Sequence, residues 1–405
     1  MPPPRFAAQP LLHLRVSPPA EKALRGGHPW LFADRILEQN RPGKSGELAV
    51  IYDRKDRFLA IGFYDPESAL RVRVLHAGQP VTLDEAWWRR RLEAPLERRR
   101  GLFDSQTTGY RWINGESDGW PGLVLDRYGD ALVVKIYTAA WLSRMKEVAA
   151  LIREALAPGH LVLRLSRNLK QTAMENYGLE DGRLLFGSTT VAEFVETGLK
   201  FEADLARGQK TGFFLDQREN RRLVETRAAG RDVLNAFSFS GGFSLYAARG
   251  GAKSVVEIEM SARSLEEAHR NRARNPVQAA DCRFESVQAD AFEWLGANTA
   301  RRFDLVILDP PSLAKREEEH DAAVRAYGRL ATLALATLRR GGVLVASSCS
   351  AHVSEQDFYG IVIEAARKSG RTFRQRAITG HPPDHPATFR EARYLKCIYL
   401  EETGS

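Results

Sequence analysis

An acid followed at once by two prolines, Asp309-Pro310-Pro311-Ser312, is the strongest chemical signal in this chain. Two prolines directly after an apolar run halt strand pairing and fix the backbone, so Asp309 and the next carbonyls are held rigidly. Such a turn has little value as mere structure and suits gripping the hydrogen-bonding edge of a planar base. Further along lies Ser347-Ser348-Cys349-Ser350. A thiolate attacks electron-poor carbons well, which makes Cys349 a candidate nucleophile. A small buried core residue is the commoner fate of a lone thiol; the expected place of Cys349, facing Asp309 at the end of another strand, favours chemistry.

Upstream, Phe237-Ser238-Phe239-Ser240-Gly241-Gly242-Phe243-Ser244 is a loop of mostly small residues entering a helix. Gly241 and Gly242 would let backbone come close to a ligand, with the helix N-terminus favouring a carboxylate or phosphate. The pair is not G-x-G-x-x-G, and helix–strand packing accounts for it as well. Glu259 follows about eighteen residues beyond Gly241, where an acid can accept both hydroxyls of a ribose. Asp290 can read the exocyclic amine of an adenine. Each acid also suits a helix N-cap, but a loop, an acid and a second acid in this order describe a nucleoside site. The run Lys210-Thr211-Gly212-Phe213-Phe214-Leu215-Asp216-Gln217-Arg218-Glu219-Asn220-Arg221, with paired aromatics and polar residues at a helix start, can close one side of the pocket.

A doubly wound α/β sheet puts such residues together, because ligands bind beyond the carboxyl ends of its strands. From residue 201 to 405 strand and helix patterns alternate, which predicts a parallel sheet. Strands are expected at 232–236, 254–259, 284–289, 303–308 and 343–347, with closing strands at 372–377 and 394–400. Helices are expected at 244–249, 262–275, 291–300, 322–339 and 356–368.

Residues 11–80 read instead as a small β-barrel, with strands at 48–52, 58–64 and 70–75 and one helix near 19–26. Trp30, in Gly27-His28-Pro29-Trp30, is expected to be buried beside a turn. Residues 81–200 open with an amphipathic helix at 83–100 and continue with a turn-rich stretch at 112–122. A hairpin at 123–135 turns at Gly129-Asp130, and a helix at 143–156 with a strand at 161–165 completes a βαβ-type unit. Asn114, Glu116 and Asp118 are spaced like metal ligands but lack the glycine and closing glutamate of a calcium loop; a turn is the expectation, and no metal.

The 405 residues carry 59 Lys+Arg against 51 Asp+Glu, a net charge of +8, with 43% hydrophobic and 27% charged residues. That composition is globular and of a length for roughly two to four domains. No apolar stretch approaches the ~18 residues of a membrane span. Met1-Pro2-Pro3-Pro4-Arg5 is not followed by the apolar core of a secretory signal, so a cytoplasmic protein is expected. Cys282, Cys349 and Cys397 are odd in number without C-x-x-C spacing, which suggests neither a disulfide framework nor a zinc site. Arginine clusters at 89–91, 98–100 and 339–340 and alternates at Arg71 and Arg73. Its planar fork suits phosphates, whereas the helical spacing of 89–100 equally fits a solvated face.

In these residues and their order the chain resembles the bacterial class I S-adenosylmethionine-dependent 23S ribosomal RNA cytosine-5 methyltransferases of the RlmI-like group. Gly27-His28-Pro29-Trp30 looks like that family's PUA domain, and Asn114-Gly115-Glu116-Ser117-Asp118-Gly119 with Pro121-Gly122 looks like its central α+β domain. Lys210-Thr211-Gly212 through Asp216-Gln217-Arg218, Gly241-Gly242-Phe243, Asp309-Pro310-Pro311, Ser348-Cys349-Ser350 and Tyr394-Leu395-Lys396 match its catalytic domain. The resemblance implies an N-terminal PUA-like β-barrel (11–80), a small central α+β domain (81–200) and a C-terminal Rossmann-like methyltransferase domain (201–405). It implies S-adenosylmethionine as cofactor, held by Lys210, Gly212, Asp216, Arg218, Phe237, Ser238, Gly241, Gly242, Phe243, Glu259, Asp290, Asp309 and Pro310. Cys349 and Asp309 would be catalytic. Ribosomal RNA is the implied partner, held in part by the Arg-rich helix, with Trp112 or Trp120 stacking on bases or packing in the core; no membrane is implied, and a homodimer stays open.

Carbon 5 of cytosine is a poor nucleophile, so Cys349 would first add at carbon 6 and Asp309 would stabilise the adduct. A related group carries a second Cys in the acid-x-Pro-Cys turn to aid release; Ser312 stands there and does not inherit that role. Glu259 departs from the more usual Asp. No residue is assigned to take the carbon 5 proton. Two alternatives remain: methylation of a guanine or adenine nitrogen, which needs no Cys, and a non-catalytic RNA-binding ribosome-assembly factor, which would not bind S-adenosylmethionine.

Overall fold

In the computed structural model, which describes residues 11–404, the chain divides into two units. One comprises the chain to Thr197 with Ala203–Phe213 and Asp384–Pro386; the other comprises Gly198–Glu202, Phe214–Pro383 and the chain from Ala387. The reading of residues 1–5 as no secretory signal lies outside the described residues. Among the described residues no helix is long and apolar enough to cross a membrane.

The first unit begins with β1 (Leu12–Val16), helix α1 (Pro18–Arg25), β2 (Trp30–Phe32), β3 (Ile36–Gln39), β4 (Leu48–Tyr52), β5 (Phe58–Tyr64) and β6 (Leu70–Ala77), paired in the order β2-β6-β5-β4-β1-β3. Helix α2 (Glu85–Arg99) leads to β7 (Gly109–Asn114), β8 (Leu123–Tyr128), β9 (Ala131–Ile136), α3 (Met145–Leu156), β10 (His160–Leu165), α4 (Lys170–Tyr177) and β11 (Leu184–Phe186). Their sheet runs β11-β10-β9-β8-β7, and β10 pairs parallel to β9 across α3, the expected βαβ unit. Strand β12 (Val191–Glu196) follows.

One aromatic cluster joins the two sheets of this unit. Trp87, Trp88, Trp120 and Trp141 pack with Phe63 of β5 and Leu75 of β6, with the Phe63 and Trp141 rings 4.7 Å apart and Trp120 stacked on Trp141 at 5.6 Å. Trp120 is therefore core and not a base platform. Trp30 departs from expectation: it is half-buried, its Nε1 donates to Glu116 at 2.9 Å, and Arg73 pairs with the same carboxylate at 2.5 Å. Residues 112–114, expected as turn, belong to β7, because the ladder with β8 extends to Asn114 opposite Val124.

Most of the Arg-rich helix is engaged inside this unit. Arg89 pairs with Glu85 and Glu154, Arg98 and Arg99 with Asp118, and Arg100 with Glu97. Arg91 donates to the Leu75 carbonyl and lies over the Trp87 ring. The Arg99–Asp118 contact, 2.6 Å, joins two side chains that are at most 2% exposed. Asp118 also accepts from the Asn114 amide, so the spacing that mimicked metal ligands serves arginine and backbone.

The second unit takes up the chain along β13 (Leu199–Asp204) and continues through α5 (Arg218–Glu225), β14 (Asp232–Ala236), α6 (Gly242–Arg249), β15 (Ser254–Glu259), α7 (Ala262–Ala273), α8 (Pro276–Ala279), β16 (Arg283–Gln288), α9 (Ala291–Ala297), β17 (Phe303–Leu308), α10 (His320–Thr337), β18 (Leu338–Ser348), α11 (Glu355–Lys368), β19 (Phe373–Thr379) and β20 (Lys396–Glu402). The sheet order is β16-β15-β14-β17-β18-β20-β19. Apolar residues are continuous in its central strands because both faces are covered. Val306 and Leu308 pack with Tyr327, Leu330 and Phe358, while Leu305 and Ile307 pack with Val224 and Ala247 on the other face.

Two expectations are corrected. The sheet is not wholly parallel: β20 runs antiparallel to both β18 and β19. Strand β19 ends at the carboxyl edge, where Thr379 faces Cys397, and the chain re-enters from that same edge, so β20 must run back. The helix expected to reach residue 339 stops at Thr337, and β18 begins at once, with Leu338 beside Phe303 and Arg339 paired to Asp232 and Asp304.

Removing one partner of a buried ion pair leaves an uncompensated charge, at a cost of about 3–5 kcal/mol. Asp118→Ala is expected to destabilise the protein by that amount in urea unfolding. A loss below about 1 kcal/mol, the worth of an exposed pair, would show that Arg99 is otherwise satisfied.

Candidate active site

Five adjacent parallel strands, β16-β15-β14-β17-β18, end at one edge of the second unit's sheet, and the chain order reverses between β14 and β17, the place where such sheets bind ligands. The Asp309 turn leaves β17 there and Cys349 leaves β18 beside it. Both are half-buried, flanked by buried Pro310 and Ser350. The Cys349 thiol points at the Pro310 carbonyl, 3.9 Å away. Asp309 Oδ1 accepts from Gln217 Nε2 at 2.7 Å, and Gln217 Oε1 accepts from Asn220 Nδ2 at 2.5 Å. Thr379 donates in turn to Asn220. This relay from α5 and β19 orients the carboxylate.

Ser350 joins the two loops. Its hydroxyl accepts from the backbone amides of Leu313 at 3.0 Å and Ala314 at 3.3 Å, and lies 2.9 Å from the Tyr327 hydroxyl. Tyr327 also accepts from Ser348 at 2.9 Å. The Lys396 ammonium donates to the carbonyls of Ser350 at 2.7 Å and Val353 at 2.6 Å. The other two thiols sit in environments that suppress reactivity: burial pushes Cys397 up to about 12 and Cys282 up to about 11.

The loop after β14 is strained. Phe237 and Phe239 hold φ of 68° and 48°, a region that costs a bulky residue about 1–3 kcal/mol and clusters at ligand clamps. The hydroxyls of Ser238 and Ser240 are buried and have no hydrogen-bond partner among the described residues. Unmet buried donors cost about 1–3 kcal/mol each, and a polar ligand offers them partners. Gly241 serves packing as well, since with φ +79° an added Cβ would stand 3.0 Å from Ala268 Cβ.

Glu259, at the end of β15, is held by two amides: Phe239 N–H at 3.0 Å on one oxygen and Ser261 N–H at 2.9 Å on the other. Each oxygen keeps a lone pair for a hydroxyl. Asp290 caps α9 through the Glu293 amide at 3.0 Å on one oxygen. Loop, Glu259 and Asp290 thus stand at successive strand ends. The residues present fit a nucleoside cofactor.

The remaining candidates are placed differently. Phe243 is packed in the apolar layer with Val224 and Ala247, with Arg221 beside its ring. Asp216 is buried and accepts from the Tyr394 hydroxyl at 2.8 Å, and Arg218 is buried with its Nε on Glu219 at 3.1 Å. Lys210 and Gly212 belong to the first unit. There the Lys210 carbonyl accepts from Lys135 at 3.1 Å, and Gly212 adopts a φ of 133° that only glycine tolerates. Sequence reasoning did not single out Tyr327 or Thr379, and it placed Gln217 and Asn220 in the run at 210–221 and Lys396 in the Tyr394-Leu395-Lys396 motif without a role of their own. A lysine inside the apolar run of β20 was the available signal for Lys396.

Residues 160–399 match the family model of S-adenosylmethionine-dependent methyltransferases, and residues 14–77 match that of PUA-like domains. The chain is 54% identical to a ribosomal RNA large subunit methyltransferase of Deinococcus radiodurans over 98% of both chains. It is 35% identical to the ribosomal RNA large subunit methyltransferase I of Photobacterium profundum, over 93% of this chain and 96% of that one. A solved S-adenosylmethionine-dependent methyltransferase from Streptococcus mutans shares the fold at TM-score 0.81 and 22% identity, covering 96% of this chain and 99% of that one. A methyltransferase complexed with SAH does so at TM-score 0.83 and 23% identity over the same shares.

Ser350→Ala removes the acceptor of two amides and a partner of the Tyr327 hydroxyl. A loss of about 1–3 kcal/mol in thermal or urea unfolding is expected, and an unchanged stability would mean that water replaces the hydroxyl.

Proposed function

Because the chain belongs to the S-adenosylmethionine-dependent methyltransferases and carries a PUA-like domain, we propose that it methylates carbon 5 of a cytosine in 23S ribosomal RNA through a covalent Cys349 adduct. The observation that carries this reading is Cys349 leaving β18 beside the Asp309 turn, its sulfur 3.9 Å from the Pro310 carbonyl. A nitrogen methyltransferase has no use for a thiol there. RNA as substrate is supported by the names of the relatives at 54% and 35% identity.

S-adenosylmethionine, when bound, supplies an electrophilic methyl group. The loop Phe237–Gly241, Glu259 and Asp290 hold its nucleoside portion, with Ser238 and Ser240 as donors. Asp309 and the Pro310 carbonyl grip the hydrogen-bonding edge of cytosine. The Cys349 thiolate adds to carbon 6, and the displaced electron pair is delocalised over carbon 5 and the N3 side of the ring. Asp309, sharing a proton with N3, stabilises that charge, while Gln217 fixes its other oxygen. Carbon 5 takes the methyl group as the methyl–sulfur bond breaks and its electron pair stays on sulfur, leaving a neutral thioether; a base removes the carbon 5 proton, and the returning electron pair expels the Cys349 thiolate while N3 gives the shared proton back to Asp309. Ser312 donates to the Ala314 carbonyl at 2.9 Å, a turn contact, and is not given the release step. Residues 11–80 and 81–200 are read as the RNA-holding part, through exposed arginines such as Arg90.

Cys349→Ala is expected to abolish 5-methylcytosine formation while calorimetry gives unchanged S-adenosylmethionine affinity. Retained turnover would replace the covalent reading with nitrogen methylation. Mapping 5-methylcytosine across ribosomal RNA with and without the gene tests the substrate. Glu259→Gln leaves one of two amides without its acceptor and should weaken cofactor binding about tenfold or more; equal affinity would remove Glu259 from the site.

A further inference from the structure

We propose that Lys396 is a positioning residue for Cys349, its ammonium both holding the loop that carries the thiol and standing as counter-charge to the thiolate. This rests on the reading of Cys349 as nucleophile. Lys396 opens β20 next to Leu395, Cys397 and Ile398, and is only 1% exposed. A charge in such a place is costly unless something compensates it. Two of its three donors go to the carbonyls of Ser350 and Val353, which bracket the turn just after Cys349. Among the described residues it makes no carboxylate salt bridge, and the charges it feels are the Cys349 sulfur and the Glu355 carboxylate at the start of α11.

Burial draws the Lys396 ammonium down to about 8, so it is largely charged at neutral pH and loses the charge above that value. The Tyr327 hydroxyl from α10 also lies near the thiol, and the Asp309 turn meets it through the Pro310 carbonyl. Burial pushes the Tyr327 hydroxyl up, so it stays neutral. Lys396 is therefore a cation placed to favour thiolate over thiol. The direction of β20 matters here: only a strand that runs back from the carboxyl edge puts its first residue beside the loop after β18.

The test follows alkylation of Cys349 by iodoacetamide in the full-length protein, using peptide mass spectrometry from about pH 6 to about pH 10. Wild-type Cys349 should reach half-maximal rate below the ~8.5 of a free thiol. Lys396→Met and Lys396→Gln, the second retaining amide donors without charge, should both move the midpoint up by about one unit, slowing alkylation at neutral pH about tenfold. Cys282, whose midpoint lies above this range, is the internal standard, and its alkylation rate at each pH should be the same in wild type and variants. A wild-type midpoint at or above that of a free thiol overturns the proposal without any variant. A midpoint unchanged in both variants, or shifted in Lys396→Met alone, also overturns it, the latter leaving Lys396 only a loop-holding part. The assay needs neither RNA nor turnover. An active Cys349→Ala enzyme would refute the nucleophile, whereas the alkylation profile decides Lys396.

Discussion

The Ser350 hydroxyl turns two loops into one object. Strand ends at the carboxyl edge of a covered sheet expose backbone amides that water cannot fully reach, and each must find an acceptor. The amides of Leu313 and Ala314 find it in a side chain from the next strand's loop. That bond ties the Asp309 turn to the Cys349 loop, with Tyr327 beneath and Lys396 behind. The acid and the thiol keep a fixed mutual placement because their loops share this anchor, and a preorganised pair avoids reorganisation as charge develops.

Around the loop after β14 the structure shows the opposite economy. Two phenylalanines with left-handed backbone and two buried hydroxyls without partners are local costs that a packed domain ordinarily avoids. Neighbouring parts are well satisfied: Glu259 binds two amides and Asn271 accepts from Glu202 and donates to the Ser240 carbonyl. Rigid surroundings are what allow strain to persist in the loop, and a bound nucleoside is the partner that would relieve it.

Much of the clustered positive charge is matched within the fold. Arg99, Arg98 and Arg89 look on paper like a basic stripe, yet they are matched to Asp118, Glu85 and Glu154. Glu85 lies one helical turn from Arg89, but Asp118 and Glu154 are distant in the chain from their arginines, and only the packing of α2 against the following elements brings them together.

Periodicity and punctuation made the α/β alternation, the strands at 232–236, 254–259 and 303–308, and the hairpin at Gly129 legible from residues alone, because a buried strand must be apolar and a turn must admit special backbone. The motifs at Asp309 and Cys349 were legible for a similar reason: their residue types are unusual at a strand end. Short strands such as β2 and β3 were not, being too brief to show a period. Nor was the sense of β20, since an apolar run reads the same in either direction; its direction follows from which sheet edge the preceding strand leaves. The same holds for the partners of Lys396, Gln217 and Tyr327. Their contacts to Ser350, Asp309 and Ser348 join distant stretches of chain, and side-chain partnerships of that range are decided by tertiary packing, which no local pattern encodes.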